Sequence, residues 1–463
     1  MSAGRSGHRP EAGARRVLVV GLRATGAAVV RAAARRGDVI TVVEDQPGQR
    51  RYESRRAEAE ALGATVIERP APEAWTDLVG NADLVVPSPG VRPGHPAFVA
   101  ALAAGVPVRG DIDLGMEAAR MPVVAITGTN GKSTVTTLVA AILRASGLRA
   151  ETAGNIGRPL LDVVEEPADV IVAEVSSFQL HTTTEAFRPA VAVLLNIAPD
   201  HLDWHGSFAE YTAAKAHVFA HQRGDDLLVA VVDDPVVREL AGSAPARVVE
   251  VALDGPPGTY RRASGALVTA AGDEIVEVAR LPSALPHDLT NALAAAAAAA
   301  AFRGDPAAAR GALTNFGRLH HRVEPVGKAS GVEYFDDSKA TNPHATLSAL
   351  AGFERVVLLA GGDSKGVDLG GLAGAAQHLV GVVAIGDTPE EVERALGGLV
   401  PTVRAASMRE AVDAAARMAR PGDTVLLSPA CASFDWYDSY EQRGDDFQAE
   451  VRRRFDDAED ARA

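Results

Sequence analysis

The sequence predicts an α/β protein of three units, each a mostly parallel sheet flanked by helices. Three observations carry that expectation. Short runs of valine, isoleucine and leucine alternate along the whole chain with alanine-rich stretches of helical composition, as strands buried on both faces do. The 463 residues suit about three domains at roughly 150 residues each. Several runs feed directly into glycine-rich or polar loops, and strand ends are where open α/β sheets bind ligands.

The expected strands are 17–20, 40–43, 84–86, 123–126, 170–173, 191–195, 227–232, 356–359, 382–385 and 425–427. Residues 16–112 form a small doubly wound unit, 113–318 a central unit opening on the strand at 123, and 319–463 a third α/β unit. Glycine, proline and short valine runs over 247–279 predict a β-rich insertion in the central unit. The alanine run Ala292 to Phe302 is too short to cross a bilayer and predicts a tightly packing helix. The charged residues 452–463 are expected to fray.

Composition narrows the function. A net charge of −14 disfavours a nucleic-acid surface, so an anionic ligand needs a local basic pocket. A single cysteine, Cys431, excludes an internal disulfide framework and fits a reducing compartment. Residues 1–16 lack the apolar core of a secretory signal. A cytoplasmic monomer acting on small molecules is expected, with no nucleic acid and no membrane span.

Among 46 basic residues only five are lysine. Lys132, Lys215, Lys339 and Lys365 lie in or near short polar motifs, whereas Lys328 has none around it. Lysine is a compact charge that can lose its proton, which arginine cannot do. The four therefore stand out as site candidates. Gly128-Thr129-Asn130-Gly131-Lys132-Ser133-Thr134 follows a buried strand and opens a helix. That order cradles phosphates on loop N–H groups, with the lysine on the outer phosphates and the serine on Mg²⁺. Its glycine spacing is shorter than in the standard eight-residue loop.

The stretch 127–134 resembles the ATP loop of the Mur ligase superfamily. Further likeness lies in Gly154-Asn155-Ile156-Gly157, in 174–180 and in Asp337-Ser338-Lys339-Ala340-Thr341-Asn342 followed by Gly361-Gly362-Asp363. Ser428 to Ser433 and Glu441-Gln442-Arg443-Gly444 add to it. The resemblance implies a Rossmann-like N-terminal domain, a P-loop-type central ATPase domain and a Rossmann-like C-terminal domain. It also implies an ADP-forming amide ligase of peptidoglycan precursor synthesis. D-glutamate would be added to UDP-N-acetylmuramoyl-L-alanine through an acyl phosphate, and the stretch 337–342 separates this activity from those of relatives.

The resemblance assigns roles to residues. ATP would meet Gly128 to Thr134, with Asn291 on the adenine side, Arg322 at a phosphate and Asp337 near the ribose. Ser133 and Glu174 would ligate one Mg²⁺; His201 and Lys215, the latter carbamylated to N6-carboxylysine, would ligate a second. Lys132, His201, Lys215 and Lys339 would serve the chemistry. Thr341, Lys365, Ser433 and the ring of Tyr440 would hold D-glutamate. The UDP moiety would lie along Ala24, Thr25, Asp45, Gln46, Ser88, Gly90 and Asn155, with Gln179 and His181 nearby. Blander readings stay open at this point: a strand-end carboxylate for Glu174, a solvated helix lysine for Lys215, an interdomain salt bridge for Arg322 and a turn lysine for Lys365. So do a ligase adding another residue, a folate polyglutamate ligase among them, and a nucleotide-binding regulator. Three units sharing one site also imply that the third closes onto the second.

Overall fold

A computed structural model describes residues 13–48, 51–317 and 319–460, and of these the side chains of 457–460 are left aside. The expectation drawn from residues 1–16 falls almost wholly outside them.

The first sheet has four parallel strands in the spatial order Thr65–Glu68, Val39–Glu44, Arg16–Val20, Leu84–Pro87. The chain winds outward from Arg16–Val20 and then returns to its other side. The crevice beyond Val20 and Pro87 is thus a topological switch point, the usual place for a ligand.

The central sheet has six parallel strands in the order Arg247–Val251, Leu227–Val231, Val191–Leu194, Val123–Thr127, Val170–Glu174, Ala150–Gly154. Val123–Thr127 and Val170–Glu174 are buried at every position, which is why they read as continuous apolar runs rather than alternating ones. The helix Lys132–Ala145 turns Val135, Leu138, Val139 and Ile142 inward. Against it packs the helix Pro286–Ala301, with residues 292 to 299, all alanine but for Leu293, buried throughout. Alanine's small side chain lets two helix backbones approach closely, and the pair fixes Asn291 beside the phosphate-type loop.

The expected β-rich insertion is smaller than 247–279. Arg247–Val251 pairs in parallel with Leu227–Val231 and belongs to the central sheet. Only Arg261–Ala263, Ala266–Val268 and Glu274–Glu277 make a separate antiparallel sheet.

The third sheet is mixed. Its order is Glu324–Ala329, Val332–Asp336, Thr424–Leu427, Val356–Ala360, Leu379–Ala384, Thr402–Arg404, and only the first pair is antiparallel. Three adjacent strands end at Asp336, Leu427 and Ala360, which delivers the motifs at 337, 428 and 361 to one edge. The last helix spans Tyr440–Asp460, so the backbone expected to fray from residue 452 is helical to 460, and residues 461–463 lie outside the described residues. Arg453 and Arg454 tie it to Asp413, and Arg453 also pairs with Glu450 one turn earlier in the same helix. Among the described residues no helix is long and apolar enough to cross a membrane.

Candidate active site

The central loop begins where Thr127 Oγ1 donates to the Val175 carbonyl, 2.8 Å away. Asn196 fixes the loop's middle, accepting from Asn130 N at 2.8 Å and donating to Asn130 O at 3.1 Å. Gly131 has φ +84, and a Cβ there would lie 2.5 Å from Asn291 Oδ1. Only glycine fits that backbone so close to the helix carrying Asn291.

Two lysines meet under this loop. Lys132 Nζ donates to the carbonyls of Gly128 and Thr129, both at 2.8 Å, so its ammonium folds back on its own loop instead of reaching outward as expected. Lys215 Nζ donates to the same Gly128 oxygen at 2.7 Å. Lys215 is only 1% exposed. The helix Phe208–Ala216 brings it there, together with Tyr211, whose ring lies 4.8 Å from the ammonium and whose hydroxyl meets Thr129 Oγ1 at 2.9 Å. Burial, reinforced by the charge of Lys132, pushes the Lys215 amine well below the ordinary lysine range. A solvated helix lysine is thereby excluded.

The acidic side faces them. Glu174 ends its strand, and its Oε1 accepts from Asn155 Nδ2 at 2.7 Å. Its Oε2 is buried with no partner among the described residues. A carboxylate oxygen left in that state is costly unless a cation completes it, so the donor set fits a hard divalent ion with oxygen ligands. His201 sits at φ +54 with its ring 4.7 Å from Phe178. Burial lowers its imidazole to about 4, which leaves it neutral and able to ligate.

The third unit is seated on this loop. Lys365 Nζ meets Asp200 Oδ1 at 2.5 Å, both side chains largely buried. Asn342 Nδ2 donates to Asp200 Oδ2 at 3.0 Å, and Asn342 and Asn130 exchange two bonds of 3.2 Å. Burial alone would raise the Asp200 carboxyl; the charge and hydrogen bond of Lys365 outweigh it and hold the group below its usual value. Lys365, expected at an amino-acid carboxylate, is thus an interdomain ion pair here, and the turn-lysine reading is excluded. Thr341 and Ser433 lie on loops that follow the neighbouring strands ending at Asp336 and Leu427. The Tyr440 ring lies 3.7 Å from Lys339 Nζ, a cation–π contact. Burial brings the Lys339 ammonium down to about 8. Asp337 accepts from Ser428 Oγ at 2.8 Å, and burial lifts its carboxyl to about 7.

A cavity of about 560 Å³ runs between the units, lined by Asn130, Gly131, Thr134, Asn291, Arg322, Asp337 and Lys339 among others. Six of the ten expected nucleotide positions therefore converge; Gly128, Thr129, Lys132 and Ser133 lie outside its lining. A second cavity, about 980 Å³, opens at the first sheet's switch point and is lined by Ala24, Thr25, Asp45, Gln46, Ser88, Gly90, Asn155, Gln179 and His181. Asn155 belongs to this cavity and also holds Glu174, which ties the two sites together.

Several contributors were missed. Glu44 clamps the first loop, accepting from Leu22 N at 2.7 Å and Gln46 N at 2.9 Å. His95 holds Asp45 at 2.7 Å. Arg443 is a buried guanidinium whose acceptors among the described residues are all neutral: Ser338 Oγ and O, and the carbonyls of Cys431 and Ala432. It stitches the 337–342 loop to the 428–433 loop, and burial lowers it to about 10. The acidic pair at 44–45 and the Glu-Gln-Arg-Gly stretch were visible signals; the partners were not.

A phosphate-type loop on a central parallel sheet, closed over by a third unit bearing its own lysines, is the layout of the Mur ligases, and the chain belongs to that family. Residues 15–110 match the Mur ligase MurD-like N-terminal domain, 126–299 the Mur ligase middle domain and 321–431 the Mur ligase glutamate ligase domain. Within the family it is similar to UDP-N-acetylmuramoylalanine--D-glutamate ligases. That of Thermobifida fusca is 42% identical over 95% of this chain and 98% of the relative. That of Streptomyces coelicolor is 40% identical over 94% and 97%. Among solved structures, MurF from Acinetobacter baumannii superposes with a TM-score of 0.60 at 18% identity, covering 93% of each chain. The MurF ligase of Thermotoga maritima in complex with ADP gives 0.57 at 14% identity, covering 96% of each.

Proposed function

We propose that this protein joins D-glutamate to UDP-N-acetylmuramoyl-L-alanine at the expense of ATP, in peptidoglycan precursor synthesis. The observation that carries the reading is the convergence at Asp200 and Asn130. There the central loop, with Lys132 and Lys215 beneath it, meets Asn342 and Lys365 of the third unit. A reaction between three substrates needs such a meeting point, because holding the reactants in register supplies much of the rate.

On this reading ATP occupies the 560 Å³ cavity and the UDP-linked substrate the 980 Å³ cavity, with its carboxylate end toward Asn155 and Glu174. The loop N–H groups, Lys132 and Arg322 hold phosphate charge. A carboxylate oxygen of the substrate attacks the γ-phosphorus and ADP leaves. The D-glutamate amine then attacks the acyl carbon and inorganic phosphate departs with that oxygen. Thr341, Lys365 and Ser433 hold the glutamate carboxylates, Lys365 exchanging Asp200 for the substrate. Lys339 steadies the phosphoryl group.

Mg²⁺, when bound, neutralises phosphate charge. Ser133 and Glu174 would hold one ion, and His201 with carbamylated Lys215 a second. The carbamate forms as the neutral Lys215 amine adds to the carbon of CO₂ and loses one proton, turning a buried amine into an anionic oxygen ligand. The enzyme works as a cytoplasmic monomer on small molecules.

ATP-dependent phosphate release with UDP-N-acetylmuramoyl-L-alanine and a panel of amino acids tests the reading. D-glutamate is expected to support turnover and L-glutamate little. Strong turnover with L-lysine or meso-diaminopimelate, or with folate as acceptor, would overturn it.

A further inference from the structure

His344 lies just past the 337–342 motif, at the start of the helix Pro343–Leu350, and no role above includes it. It lines the 560 Å³ cavity from the third unit's side. Its Nδ1 sits 3.0 Å from Asn130 Nδ2. The surrounding hydrogen bonds determine which ring nitrogen carries the proton.

Two ends of this hydrogen-bond chain are fixed. Asn342 Oδ1 accepts from the Ala345 backbone N–H at 2.9 Å, and Asn342 Nδ2 donates to the Asp200 carboxylate at 3.0 Å. A backbone N–H can only donate and an ionised carboxylate can only accept, so the Asn342 amide has one possible orientation. Asn130 must then present its Oδ1 to Asn342 Nδ2 and its Nδ2 to Asn342 Oδ1. The second hydrogen on Asn130 Nδ2 goes to His344 Nδ1, which is therefore the acceptor. Burial keeps the imidazole neutral by lowering it from its ordinary value. The single ring proton is on Nε2, and no protein group among the described residues partners it.

We infer that His344 is a nucleotide-binding residue, giving the Nε2–H of a neutral imidazole to an acceptor oxygen of the nucleoside triphosphate in the 560 Å³ cavity. Because His344 belongs to the third unit and Asn130 to the central loop, this bond forms only when the two units are together. Nucleotide affinity is thereby coupled to closure. The inference rests on the reading of this cavity as the ATP site.

Two substitutions separate the ring's two edges. His344→Asn retains an acceptor near the Nδ1 position and removes the Nε2–H; His344→Gln retains a donor near Nε2 and removes the acceptor. Titration calorimetry of the full chain with Mg²⁺ and a non-hydrolysable ATP analogue is the measurement, supported by KM values from phosphate release. His344→Asn is expected to weaken the analogue about three- to tenfold, the size of one neutral hydrogen bond. Its KM for ATP rises while that for D-glutamate does not, and His344→Gln binds the analogue within about twofold of the parent. Equal affinity in His344→Asn and the parent, or equal weakening in both variants, would overturn the inference while leaving the ATP site intact. Failure of the parent itself to bind the analogue would instead overturn the ATP reading and this inference with it.

Discussion

Lys215→Ala is expected to lose at least about a hundredfold in turnover, beyond the usual range for residues that merely support a metal ligand. Added short carboxylates should restore part of it, and Lys215→Arg should not. Lys132 and Lys215 lie 2.8 Å and 2.7 Å from one carbonyl oxygen. Their ammonium groups would be at most about 5.5 Å apart, where two unit charges repel by about 3 kcal/mol at an effective dielectric near 20. Burial is the larger cost and this repulsion adds to it, and together they push the Lys215 amine well below the ordinary lysine range. A neutral amine is what CO₂ adds to, and the resulting anion relieves the repulsion beside Lys132. Arginine holds its proton under all such conditions. Turnover measured in CO₂-depleted and bicarbonate-supplemented buffer checks the same point, with activity expected to follow supply. Full activity in Lys215→Arg would remove the carbamate from the account.

Lys365→Ala is expected to cost about 10²- to 10³-fold in kcat/KM for D-glutamate, and to loosen the closed arrangement. It removes the side chain proposed to hold a glutamate carboxylate and also leaves Asp200 buried without its cation. Breaking one side of a buried pair typically costs about 3–5 kcal/mol. A double-mutant cycle with Asp200→Asn separates the two effects. Small-angle scattering should show the envelope of Lys365→Ala more extended than the parent, and the double variant closer to it. Turnover should stay low in the double variant, because the substrate ligand is still missing. Additive effects in scattering would mean that the pair does not hold the units together.

Much of the frame was legible because buried parallel strands leave continuous runs of branched residues, as at Val123–Thr127 and Val356–Ala360. Edge strands were missed where that signal fails. Thr65–Glu68, Ala150–Gly154 and Thr402–Arg404 are short and carry polar residues. Arg247–Val251 was assigned to the insertion because a half-exposed strand resembles a hairpin arm. In the site, lysine scarcity pointed to Lys132, Lys215, Lys339 and Lys365. It did not give their partners, since Gly128 O, Asp200 and the Tyr440 ring reach them only through tertiary packing. Arg443 was hidden for a further reason. A guanidinium satisfied by four neutral acceptors leaves no opposite charge to look for.

On the proposed function, the substrate carboxylate is activated as an acyl phosphate in this site. The most direct test of that step is transfer of oxygen. UDP-N-acetylmuramoyl-L-alanine carrying ¹⁸O in both carboxylate positions is turned over with ATP and D-glutamate, and the released phosphate is analysed by mass. One ¹⁸O per phosphate is expected, because the attacking oxygen leaves with phosphorus when the amide forms. Phosphate without the label would contradict the account.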